Sequence, residues 1–190
     1  MRVLAALFAM LFWGAVQAHP HGTMQCSMAV GFEAGRPVIL SGRLLMDAAH
    51  SKEMQAMLRD PATGQLDAQR QQRFMFSLKM QLARSNWLLG AQTQGMAAPL
   101  SLAQEPVLVL ADDGRVGVEV ALRVEPLTST PDASWQFFCA DSTLYWVTEF
   151  AAPLAPLSVT GCAAPVQSTA VSVATGARAG SVLVEMRCAP

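Results

Sequence analysis

The sequence predicts an α+β protein: a mainly antiparallel β-sheet or sandwich with a two-helix hairpin inserted after the first β-hairpin. Three observations carry this. Apolar residues alternate with polar ones through most of the chain, as in half-buried strands. The period changes to a helical one only between residues 47 and 84. Turn-forming clusters punctuate the strand patterns at short intervals, and no internal repeat or low-complexity tract interrupts them.

In chain order, "QCSMAVGFE" places Cys26, Met28, Val30 and Phe32 on one face. "EAGRP" is a turn, and "VILSGRLLM" (38–46) returns as its hairpin partner. Asp47 then stands at the N-cap of a helix in which Met54, Met57 and Leu58 share a face. "RDPATGQ" breaks that helix. Asp67 caps a second one, where Phe74, Leu78 and Leu82 recur every four residues and Met75 widens the stripe. "NWLLGAQTQG" and "PLSLAQEPVLVL" read as short strands, and "DDG" as a tight turn. "VGVEVALRV" puts Val116, Val118, Val120, Leu122 and Val124 on one face. "SWQFFCA" and "TLYWVTEF" read as a strand pair around Asp141-Ser142, with one of Tyr145 and Trp146 directed to the core. The stretch "AAPVQSTAVSVATGARAG", rich in small residues, reads as a loose connection.

The first 18 residues read as a cleaved signal peptide. Met1-Arg2 gives a positive start, "VLAALFAMLFWGAV" an apolar core, and Val16 and Ala18 the small residues of a cleavage site. That core is too short for a comfortable bilayer span, and no later segment is apolar enough for one. Residues 19–190 then form a single exported domain, best placed in a bacterial periplasm. Of the full 190 residues, 172 remain after cleavage, and loss of Arg2 leaves 12 Lys+Arg against 14 Asp+Glu. A balance so close to neutral argues against nucleic acid, which asks for a basic patch. Four cysteines in an exported chain suggest two disulfides, in any of three connectivities. Cys162–Cys188 ties the C-terminal strand to the body, leaving Cys26 for Cys139; no C-x-x-C spacing points to a thiolate metal site.

The histidines carry the functional signal. Only three are present, and two of them, His19 and His21, fall in the first three residues left after export. His19 then offers a free α-amino group together with its imidazole, and His21 adds a second imidazole. Amine, Nδ1 and a further imidazole form a T-shaped donor set suited to copper, with nickel, cobalt and zinc also served by such nitrogen donors. Pro20 excludes the alternative in which Cu(II) or Ni(II) is wrapped by deprotonated backbone amides, because its nitrogen has no proton to lose. His50 is the remaining imidazole, in the first turn of the helix that Asp47 caps. Asp47 and Asp141 are candidates either for oxygen ligands or for orienting the imidazoles from behind.

These features together resemble a family. His19-Pro20-His21 after a signal peptide, Asp47 opening a helix, Asp141 and Tyr145 on an aromatic strand, Gly161-Cys162 and the terminal Cys188 follow the order of the periplasmic family catalogued as domain of unknown function 1007. The resemblance spans about residues 19 to 188. It implies a periplasmic component of an ABC-type transport system, associated with nickel, cobalt or zinc uptake, and hence a membrane metal transporter as partner. There are departures. Family members often carry an Asp-rich turn between the helices, whereas "LRDPATGQLDAQR" has Asp60 and Asp67 but lacks the dense oxygen set that calcium requires. His50, Cys26 and Cys139 depart from the usual pattern as well.

Catalytic motifs are missing from the sequence: no G-x-S-x-G, no H-E-x-x-H and no phosphate-binding glycine loop. A copper monooxygenase built on the amino-terminal chelate needs a second well-placed histidine and a broad substrate face, so the chain reads as a binding protein and not an enzyme. Two functions follow as expectations. One is a transition-metal-binding accessory protein that hands metal to a transporter. The other is a metal-independent module that docks on a membrane partner. The eleven methionines raise Cu(I), but Met28, Met54, Met57, Met75 and Met80 fall on apolar faces that core filling accounts for.

Overall fold

The computed structural model describes residues 22–127, 133–141, 146–150, 158–162, 165–173 and 181–188. The signal segment 1–18, His19–His21 and Tyr145 lie outside them. The chain folds as two facing, mostly antiparallel sheets with a helical hairpin at one end.

β1 (Gly22–Glu33) and β2 (Arg36–Met46) form the central hairpin, turning at Ala34-Gly35, both in the left-handed region that this tight turn demands. β7 (Val116–Val124) pairs with β2. Each side of this three-stranded ribbon is completed by two short strands end to end. β5 (Leu100–Leu102) and β6 (Val107–Leu110) share the β7 edge. β9 (Trp146–Phe150) and β10 (Ser158–Thr160) share the β1 edge, both parallel to it. The second sheet runs β11 (Pro165–Val173), β12 (Ser181–Cys188), β8 (Trp135–Cys139), β3 (Leu89–Thr93) and β4 (Met96–Ala97).

The alternation read in the sequence is realised in the packing. Cys26, Met28, Val30 and Phe32 of β1 are buried, as are all five expected residues of β7. All of these but Val116 meet Trp135, Phe137 and Cys139 of β8 and Val184 and Met186 of β12 in one core. Phe32 and Phe137 touch edge to face across the sheets at 6.3 Å. Each fully buried Val, Leu or Phe here contributes on the order of 1.5–3 kcal/mol by leaving water.

Both disulfides join the two sheets. Cys26 of β1 is bonded to Cys139 of β8 in the centre of the core. Cys162, just beyond β10, is bonded to Cys188 at the end of β12. Two formed disulfides fit an oxidising compartment. Among the described residues no helix is long and apolar enough to cross a membrane.

Three readings of the sequence are corrected. "SWQFFCA" and "TLYWVTEF" are strands, but they do not pair with each other: β8 lies between β12 and β3, while β9 joins β1 in the opposite sheet. The Cys26–Cys139 bond and the core-facing Phe137 hold β8 in the second sheet, and the Thr148 hydroxyl of β9 reaches it from the opposite sheet, donating to the Cys139 carbonyl at 2.7 Å. The expected loose connection contains β11, laddered along β12 by backbone hydrogen bonds that small residues make as readily as apolar ones. Met57 and Met80 are 57% and 51% exposed and fill no core, because Met57 lies about a quarter-turn round its helix from the buried Leu58 and Met80 opposite the buried Leu78 and Leu82.

α1 (Ala48–Leu58) and α2 (Ala68–Arg84) form the hairpin, capped as expected by Asp47 and Asp67, whose carboxylates accept the backbone N–H of His50 and Arg70. Leu58, Leu78 and Leu82 are buried, with Met54, Phe74 and Met75 packed partly against the core. The buried Ser51 hydroxyl locks α1 to the sheet, donating to the Met46 carbonyl and accepting from the Val116 N–H at 3.0 Å. The hairpin therefore sits where β1 begins and β2 ends.

Candidate metal centre

The residues around Asp47 bring three separate segments to one place. Asp47 extends the β1–β2 ladder by one step: its N–H donates to the Thr23 carbonyl at 2.9 Å, and its Oδ2 accepts the Thr23 N–H at 3.0 Å. The same carboxylate caps α1, Oδ1 accepting the His50 N–H at 2.9 Å, and it holds the His50 ring, with Nδ1 2.9 and 3.0 Å from its two oxygens. Burial pushes the Asp47 carboxyl up, but the backbone donors of His50 and Thr23, followed by the imidazole, outweigh it and lower it from 3.8 to about 2. An ionised Asp47 accepts a hydrogen bond from Nδ1–H, which leaves the free lone pair of the neutral His50 ring on Nε2. Asp47 is thus the carboxylate that orients the imidazole from behind.

Gly22 lies against this pair. In the parallel β1–β9 ladder it stands opposite Trp146. A Cβ at Gly22 would fall 2.5 Å from the Trp146 ring and 2.7 Å from Cε1 of His50, so only glycine lets the backbone come this close. Trp146 in turn meets His50 edge to face at 5.1 Å.

Asp141 is placed differently. It is 6% exposed, and its Oδ2 accepts the Trp146 N–H at 2.9 Å. It lines a small cavity with Met24, Leu82 and Trp146, whereas His50 lines an adjoining groove that shares Leu78, Gln81 and Trp146 with it. Asp141 therefore fixes the strand that carries Trp146 against His50 and is not brought to the imidazole itself. Among the described residues no cluster of three or more His, Cys, Asp or Glu occurs. Those residues supply one oriented imidazole, and His19 and His21 lie outside them.

The groove, about 680 Å³, runs between α1 and α2. Met46, Met54, Met57, Phe74, Leu78 and Trp146 make it apolar, and His50 opens into it. Glu53 from α1 faces Arg70 and Arg73 from α2 across it. The sequence reading missed the groove, Gly22 and the part of Trp146. The available signals were a glycine opening a strand straight after His-Pro-His, and the spacing of His50, Met54 and Met57 at four and three residues on a helix.

No family model matches the chain, and neither does any curated protein or solved structure.

Proposed function

We propose that the chain is a periplasmic transition-metal-binding accessory protein of a metal transport system. It binds and hands over its metal without catalysis, and holds it with the processed amino-terminal His19-Pro20-His21 and His50. The observation that carries this reading is the seating of Gly22 against the Asp47-oriented His50 ring. His21 is bonded to Gly22, and at about 3.3–3.6 Å per residue His19 is never more than roughly 11 Å from it. The chain thus keeps the His-Pro-His donors within reach of the remaining imidazole, whose Nδ1 is already committed to a carboxylate, as is usual for a ligating histidine. Nitrogen donors of this kind suit copper, nickel, cobalt and zinc. The two disulfides, the signal-like first 18 residues and the resemblance to the domain of unknown function 1007 family support the location and the transport context.

The test is a calorimetric titration of Cu(II), Ni(II), Co(II) and Zn(II) into protein processed in a periplasm to begin at His19. One equivalent of at least one metal is retained on desalting, and one extra residue placed before His19 abolishes this by moving the α-amine away. Retention of none of the four metals removes the reading.

A second reading has one observation in its favour. Phe76 and Met80, one turn apart on α2, are 71% and 51% exposed, an apolar pair available to a protein partner. It makes the chain a metal-independent module docking on a membrane transporter, unaffected by loss of His19 and His21.

A further inference from the structure

The groove between the helices contains donors of a second kind. His50, Met54 and Met57 stand at i, i+4 and i+7 on α1, so their side chains follow one another along one helix face. All three line the groove, together with Met46 at the end of β2 and the Trp146 ring that packs on His50. Met57 is more than half exposed and so is not explained by core filling. Met54 is only partly buried.

We propose that this groove is a thioether–imidazole site for one soft monovalent cation, Cu(I), held by Nε2 of His50 and the sulfurs of Met54 and Met57, with Met46 on its floor. Uncharged thioethers select soft ions, whereas hard or borderline divalent ions prefer nitrogen and oxygen. The indole of Trp146, against the imidazole, adds an aromatic surface of the kind that attracts cations. This site is distinct from the amino-terminal chelate and shares only His50 with it.

Ag(I), redox-inert and of the same softness and charge, is the probe. It is titrated in chloride-free buffer into the protein beginning at His19, following tryptophan fluorescence and the mass of the complex. One Ag(I) binds per chain, and the fluorescence change disappears in Trp146→Phe. The Met54→Leu/Met57→Leu variant, nearly volume-conserving, loses at least about tenfold in Ag(I) affinity. The single Met57→Leu change, on an exposed position, gives a smaller loss in the same direction and serves if the double variant does not fold. His19→Ala/His21→Ala leaves Ag(I) affinity within about threefold while abolishing retention of the divalent metals. Absence of Ag(I) binding overturns the proposal, and so do unchanged affinity in the methionine variants or loss of Ag(I) on changing His19 and His21 alone. Because the divalent titration responds to the α-amine and the Ag(I) titration to the thioethers, failure of either reading leaves the other intact.

Discussion

Both oxygens of Asp47 lie within 3.0 Å of Nδ1 of His50, three residues further on, while the same carboxylate caps the helix that carries the ring. One side chain therefore starts α1, anchors Thr23 at the head of β1 and sets the orientation of the imidazole.

Replacing Asp47 by alanine removes all three roles together. Loss of the cap alone is expected to destabilise the protein by about 1 kcal/mol, with the released Thr23 N–H adding to that figure. Urea denaturation measures the change. Metal affinity at His50 should fall about 10- to 100-fold, as for the loss of an orienting carboxylate. An unaltered affinity would show that His50 is not a ligand.

The lowered Asp47 pKa makes stability depend on acid. A carboxyl at 3.8 in the unfolded chain and about 2 in the folded one binds more protons when unfolded as pH falls. Its contribution, on the order of 2 kcal/mol, is complete above about pH 5 and lost progressively between about pH 5 and pH 1. Denaturation midpoints across that window should decline in the native protein. The part due to Asp47 should be missing in Asp47→Asn, which has no carboxyl at this position.

Gly22→Ala forces a methyl into the space held by the Trp146 and His50 rings. Since both are rings packed on their neighbours, the expected cost is about 1–3 kcal/mol. The NMR signals of the His50 ring should move, whereas a substitution at Gly64, where a Cβ meets nothing within 4 Å, should leave them in place.

The two disulfides should differ in worth. Cys26–Cys139 closes a separation of 113 residues and Cys162–Cys188 one of 26. Chain entropy alone makes the first more stabilising by about 1 kcal/mol. Unfolding of Cys26→Ala/Cys139→Ala and Cys162→Ala/Cys188→Ala compares them, and the central pair adds a buried cavity to its loss.

Much of this protein is written locally. Alternation at period two gave the buried faces of β1 and β7, because a pleated strand sends every second side chain to the same side. Asp47 and Asp67 marked both helix starts, since a short acceptor one residue before a helix is satisfied by that helix's own backbone. The cysteine pairing was legible as well, and so was the order of strands and helices apart from β11.

What only the tertiary structure decided is which local pieces meet. β8 and β9 are neighbours in sequence yet enter opposite sheets, and β11 forms from a stretch rich in small residues, because strand pairing uses backbone groups that every residue carries. The candidate centre belongs to this second kind. The sequence determined that Asp47 faces His50, three residues away on one helix turn. That Gly22 and Trp146 close upon that imidazole, and that Asp141 stands behind Trp146 and not beside the ring, follows from β1 being gripped by Asp47 on one side and by β9 on the other. Those contacts join residues as far apart as 22 and 146, and no local period encodes them.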